Sequence, residues 1–171
     1  QIIPSILGTD HDALPHVCED FENAGADQIH IDVMDGIFVP NTSFSPSTVK
    51  SCKLSTTIPL NVHLMVSNPL EIISEYADAG ADTIHIHIES DTDINKALEE
   101  IRANKIISGI SINPNTSIEA ILPLIDKKLV DEVLLMSVYP GLGGQEYISE
   151  VESKIAILRN RFPAVNITMD G

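Results

Sequence analysis

Strand-like alternation places His30, Asp32 and Met34 on one face of the run QIHIDVM, and Asn61, His63 and Met65 on one face of IPLNVHLMV. Ionisable side chains in otherwise apolar strands need partners, because an isolated buried charge is costly. A lone strand histidine is more often a hydrogen-bonded core residue than a ligand. Here, however, two histidines and an aspartate lie near neighbouring strand ends, and Asp170 ends the run VNITMD. Together His30, Asp32, His63 and Asp170 offer nitrogen and oxygen donors suited to one divalent ion: zinc, iron, manganese or cobalt. His85 and His87 share a face of DTIHIHIE and are rival candidates, read as groups that support the ligands or as structural histidines.

Two further features accompany this set. The loop PGLGGQ carries Gly141, Gly143 and Gly144, which would let backbone N–H groups approach a phosphate closely; a flexible turn is the competing reading. Residue 146 is Glu, so a dinucleotide fingerprint is excluded, and no Lys-Ser/Thr pair follows to make a P-loop. Met34, Met65 and Met136 each lie near the end of a strand-like run. Methionine is by default core filler, yet three at equivalent depth would also wall a site against water.

Something must hold these residues at one mouth. Seven short apolar runs, IIPSIL, QIHIDVM, IPLNVHLMV, DTIHIHIE, KIISGISI, DEVLLMSV and VNITMD, alternate with stretches of helical period. That is the pattern of a parallel sheet with crossover helices. Ile94, Ala97, Leu98 and Ile101, and again Ile118, Ile121, Leu122 and Ile125, follow one-sided helical spacing. Asn68 with Pro69 and Glu71 predicts a helix start, Thr116 to Glu119 and Ser149 to Glu152 read as capping boxes, and Gly25 and Gly80 fit C-terminal caps. AGADQIHIDV at residues 24–33 echoes AGADTIHIHI at residues 79–88. Periodicity alone leaves a doubly wound sheet and a (β/α)₈ barrel both open.

The 171 residues suit one domain, and no linker or composition break divides it. Twenty-five acidic against ten basic side chains give a net charge of −15, with no basic patch, so nucleic acid and anionic membrane surfaces are not expected partners. Two cysteines, with Cys18 on the apolar stripe Leu14, Val17, Cys18, Phe21, make no disulfide framework. With neither a spanning apolar run nor a signal-like start, a cytoplasmic protein is the expectation.

The stretches PSIL, HIDVMDGIFVPN, VHLMV, NPNT, MSVYPGLGGQ and MDG, in this order and spacing, resemble the ribulose-phosphate 3-epimerase family from Ser5 to Gly171. The resemblance implies an α/β fold, a (β/α)₈ TIM barrel, of which residues 1–171 would lack the eighth βα unit. It implies interconversion of D-ribulose 5-phosphate and D-xylulose 5-phosphate in the pentose phosphate pathway, and a homo-oligomer as the expected assembly. Carried over by position, His30, Asp32, His63 and Asp170 would bind the metal, and Asp32 and Asp170 would serve as acid and base. Ser5 and His63 would contact the phosphosugar, Gly141, Leu142, Gly143, Gly144 and Gly171 would serve its phosphate end, and the three methionines would form a wall.

The chain departs from the family pattern at Asn61, where Asp is common, and at Tyr139 and Leu142, where Asn or Glu and Phe are usual. A chain ending at Gly171 would also lack the Gly-Ser loop that helps hold phosphate in the family, so weak phosphate binding is expected of such a piece. A hexulose-phosphate epimerase acting on D-allulose 6-phosphate, a non-catalytic phosphosugar-binding barrel and a metal-dependent aldolase are the competing readings.

Overall fold

The computed structural model describes residues 1–10 and 13–171. Six of the seven apolar runs pair as parallel strands, hydrogen-bonded in chain order: β1 (Ile29–Met34), β2 (Leu60–Met65), β3 (Thr83–His87), β4 (Ile107–Ile112), β5 (Glu132–Met136) and β6 (Asn166–Asp170). Between them run α1 (Leu14–Asn23), which precedes β1, then α2 (Pro46–Ser55), α3 (Ile73–Ala79), α4 (Ile94–Ala103), α5 (Leu122–Asp126) and α6 (Glu152–Arg161). Each crossover leads to the adjacent strand, and right-handed crossovers that never reverse direction put every helix on one face. A doubly wound sheet requires a reversal of strand order, and none occurs.

The curl of the sheet is visible in the side chains. Laid flat, six strands would hold β1 and β6 apart by ~24 Å at the usual interstrand spacing. Instead His30 Nε2 on β1 lies 3.7 Å from Asp170 Oδ2 on β6. The sheet is therefore curled as in a (β/α)₈ barrel, with the helices outside.

The first run, IIPSIL, differs from its expected place as a full strand. It lies against β1 through one parallel bridge, Ser5 opposite His30, with His30 N–H donating to the Pro4 carbonyl and Ile6 N–H to that of His30. On one side of the bridge the Ile2 N–H is taken by the Asp27 carboxylate; on the other the Ser5 hydroxyl accepts the Leu7 N–H as the chain turns. Local side chains thus capture donors that a ladder would need.

Alternation sorts the strands into two faces. Ile29, Ile31, Val33, Leu60, Val62, Leu64, Ile84, Ile86, Ile110, Ile112, Val133 and Leu135 join one core with Leu14, Cys18, Val49, Cys52, Leu98 and Ile101 of the helices. The opposite face lines the barrel interior, where Met34, Val39 and Met65 form one small apolar cluster and Leu134, Met136 and Val138 another. Much of the remaining lining is polar. His85 Nδ1 is 3.0 Å from Asn61 Oδ1, the Asn61 amide donates to Gln28 Oε1, and Thr168 donates to Glu132 Oε1 at 2.6 Å. An Asp at position 61 would lack the donor that meets Gln28. The His85 ring lies over Gly109, where a Cβ would come within 2.1 Å of His85 Cδ2, so only glycine fits.

Several helix starts depart from expectation. Asp93 caps α4 by accepting the Lys96 N–H, whereas Asn68 accepts the Thr92 hydroxyl and its helix opens as a 3₁₀ turn at Pro69–Glu71. The two capping boxes likewise open 3₁₀ turns, at Ile118–Ala120 and Ser149–Val151, with no side-chain cap. Gly25 and Gly80 do take the left-handed conformation beyond the ends of α1 and α3.

Candidate active site

The strand register explains why the four donors meet. Asp32 is opposite His63 across β1 and β2, and His30 lies two residues earlier on the same inward face. Asp170, at the end of β6, reaches them across the curl. One ligand atom from each of His30, Asp32, His63 and Asp170 falls within 4.8 Å of the others. Asp32 Oδ1 lies 3.1 Å from His30 Nε2 and 3.2 Å from His63 Nδ1, and Asp170 Oδ2 lies 3.5 Å from His63 Nδ1. Ser5 donates to the other Asp32 oxygen at 2.6 Å, and Ser43 donates to the Asp32 carbonyl, fixing the end of β1.

Charge follows from this crowding. Burial by itself would raise the Asp32 carboxyl, but the imidazoles of His30 and His63 hold it well below the usual carboxylate range. Burial opposes and His63 prevails at Asp170 too, which is also lowered. Burial would lower His63, yet its contacts with Asp170 and Asp32 raise it to about 9. Two carboxylates, one buried and one half-buried, are thus kept ionised around an imidazole that carries a proton when nothing else balances them.

These residues fit a divalent cation. His30 Nε2 is buried and lacks a hydrogen bond of workable angle, although Asp32 Oδ1 is near. Two nitrogen and two anionic oxygen donors within 4.8 Å of one another make the donor set of a transition-metal site.

Above the cluster opens a cleft of about 560 Å³, lined by Ser5, Asp32, Asp170, Met34, Met65, Met136, Gly141 to Gly144 and Gly171 among others. The structure therefore brings the sequence-predicted wall, glycine loop and carboxylates to one cavity, with His30 and His63 beneath it. The Gln145 amide closes the glycine loop by donating to the Tyr139 and Leu142 carbonyls. Asn41 donates to the Gly141 carbonyl at 2.9 Å, tying the segment after β1 to the loop after β5. Leu142 is exposed at the rim.

The Ribulose-phosphate 3 epimerase family matches the sequence over residues 1–171. The chain belongs to the ribulose-phosphate 3-epimerase family. It is accordingly an epimerase, an enzyme of the isomerase class. It is 41% identical over 155 residues to the ribulose-phosphate 3-epimerase of Bacillus subtilis strain 168, covering 91% of this chain and 70% of that protein. Against the enzyme of the same name from Rhodobacter capsulatus the identity is 40% over 173 residues, covering 100% of this chain and 75% of that one. Among solved structures, tryptophan synthase from Mycobacterium tuberculosis superposes with a TM-score of 0.67 at 11% identity, over 98% of this chain and 73% of that one. A mandelate racemase/muconate lactonizing protein from Herpetosiphon aurantiacus gives 0.64, likewise at 11% identity, over 100% and 46%. These two likenesses concern the fold alone. Among the described residues no helix is long and apolar enough to cross a membrane.

Of this epimerase's site, sequence reasoning named His87 as a supporting or structural histidine and missed Glu89 and Lys154. His87 Nε2 lies 2.8 Å from His63 Nε2, and His87 Nδ1 lies 3.0 Å from Glu89 Oε2. Burial pushes His87 down to about 4, Glu89 opposing only in part. Glu89 also accepts the Asn113 N–H, and Lys154 of α6 donates to the Asn113 and Pro114 carbonyls at 2.8 Å each. Continuing the alternation of His85 and His87 by two residues is the signal that could have found Glu89; Lys154 had no such signal, since it sits in a helix of mixed polarity.

Proposed function

We propose that this epimerase binds D-ribulose 5-phosphate in the cleft and inverts carbon 3 to give D-xylulose 5-phosphate, the interconversion of the pentose phosphate pathway. The observation that carries the reading is the convergence of two carboxylates, buried Asp32 and half-buried Asp170, on the floor of a cavity rimmed by a glycine loop. Inverting a centre beside a ketone means taking a proton from one face and returning one to the other, which two carboxylates can share and one cannot. In this reading one aspartate, as the anion, removes the carbon 3 proton, and the other, which has first taken up a proton from solvent, returns it to the opposite face, so that the two exchange protonation states with each inversion. His30, Asp32, His63 and Asp170 would hold a zinc, iron, manganese or cobalt ion, which when bound supplies Lewis-acid stabilisation of negative charge on the substrate oxygens.

The remaining residues position and shield. Ser5, by donating to one Asp32 oxygen, sets the carboxylate's orientation and reaches substrate from the same side. Met34, Met65 and Met136 exclude water from a reactive enediolate. Backbone N–H groups of Gly141 to Gly144, with Leu142 and Gly171, receive the phosphate. A homo-oligomer working in the cytoplasm on this small phosphosugar, with neither nucleic acid nor membrane as partner, and a single barrel domain over residues 1–171, belong to the same proposal.

The test is proton exchange followed by NMR in D₂O, with metal-reloaded protein and D-ribulose 5-phosphate. Metal-dependent deuterium uptake at carbon 3 together with D-xylulose 5-phosphate is the expected result. Faster turnover of D-allulose 6-phosphate would reassign the substrate to the hexulose phosphates, and a smaller fragment would signal carbon bond cleavage by an aldolase. A folded, metal-loaded protein that exchanges nothing would overturn the reading.

A further inference from the structure

His63 faces the carboxylates with Nδ1 and a second histidine with Nε2, so which ring nitrogen carries a proton decides whether it can bind a cation at all. The neighbouring groups settle that order. Glu89 accepts the Asn113 N–H at Oε1, and its Oε2 faces His87 Nδ1 at 3.0 Å. A carboxylate only accepts, so the proton on this side of His87 belongs to Nδ1. A neutral imidazole has one N–H, which leaves His87 Nε2 a bare acceptor. At 2.8 Å from it, His63 Nε2 must be the donor, since two lone pairs or two N–H groups cannot face each other at that distance. On its other side His63 Nδ1 faces Asp32 Oδ1 at 3.2 Å and Asp170 Oδ2 at 3.5 Å and carries a proton there while the carboxylates are its only partners; were a cation to replace that proton, the Nε2–H would remain and Nδ1 would be the nitrogen free to bind.

The reverse order would aim the His87 Nδ1 lone pair at an anionic oxygen inside the barrel. His87 is fully buried, with no water to relieve that clash. Its ring is also packed in place, between His63 at a centroid distance of 5.0 Å and Phe38 at 4.8 Å. Glu89 in turn is anchored to the backbone of Asn113, whose carbonyl is held by Lys154.

We propose that His87 is a positioning residue of the metal centre: with Glu89 keeping the proton on its Nδ1, it accepts the Nε2–H of His63, so that Nδ1, on the side of Asp32 and Asp170, is the nitrogen His63 would offer to a cation. This rests on the reading of those residues as a cation site. The role is one of orientation and tautomer selection, at one remove from the ion.

Two measurements test it. In the zinc-loaded protein with ¹⁵N-labelled histidine, two-bond ¹H–¹⁵N spectra should show His87 protonated at Nδ1 and His63 at Nε2. Chelator competition with zinc should show His87→Leu binding roughly 10–100-fold more weakly than the unmodified protein. Glu89→Gln should fall in the same range, because an amide offers a donor as well as an acceptor and no longer dictates the His87 tautomer. His87→Gln, which restores an acceptor opposite His63, should recover most of the loss. Unchanged affinity in a folded His87→Leu, or a His87 protonated at Nε2, would overturn the positioning role while leaving the metal site intact. If His87→Leu does not fold, Glu89→Gln and the spectra of the unmodified protein decide the matter. Failure of the unmodified protein to bind zinc, manganese or cobalt overturns the cation site, and the positioning role with it.

Discussion

Asp32 and Asp170 share the roles of base and acid in the proposed reaction, so each single amide variant leaves one working carboxylate. Asp32→Asn and Asp170→Asn should each cut epimerisation by ~10²–10⁴-fold, the span of general acid–base catalysis. Deuterium exchange without inversion, from the face that keeps its carboxylate, should outlast product formation, and NMR in D₂O separates the two. His63 makes a second prediction at this scale. In metal-free protein it is raised to about 9, above an ordinary value of ~6.5. Its favourable contribution is complete below the ordinary value and is lost as pH rises through about 9. The lowered Asp32 and Asp170 behave in the opposite sense, contributing above the ordinary carboxylate range and failing as acid approaches their depressed values. A cation at Nδ1 takes the place of the His63 proton, so adding zinc near neutral pH should release about one proton per ion, measurable in weakly buffered solution.

At the scale of elements, β4 owes a glycine to its neighbour. Gly109→Ala drives a methyl into the His85 ring and should destabilise by at least ~1–3 kcal/mol, read from the urea midpoint. His85→Ala should cost less in that background than alone, because the two positions share one space. These strands also mark how far sequence carries. Period-two alternation put His30 with Asp32 and Asn61 with His63 on shared faces, and curling the sheet keeps that pleat intact. It did not reveal that IIPSIL makes a single bridge, since Asp27 and Ser5 compete for its donors through contacts that alternation does not encode. Thr116 and Ser149 look like caps by spacing, but 3₁₀ turns take the helix starts there. Lys154 reaches Asn113 from a distant helix, a contact set by the wrapping of the sheet rather than by local pattern.

For the whole molecule, the contact of His30 with Asp170 joins the first and sixth strands of the curl. An ion held by both would bind the folded barrel and not the unfolded chain. Saturating zinc should therefore raise the melting temperature, and at a free concentration 100 times the dissociation constant the gain is ~2.7 kcal/mol. Chelation should reverse it, with the loss followed by differential scanning calorimetry. The same contact bears on the order of events during folding. Donors at positions 30, 32, 63 and 170 cannot meet until β6 has docked, and pairing so distant in sequence forms late because loop-closure entropy must first be overcome. The early β1–β2 unit holds three of the four, a half-made chelate that binds weakly. In stopped-flow refolding, an absorbance signal from cobalt should therefore appear with the slowest phase, so that the metal centre acts as a clock marking the arrival of the native topology.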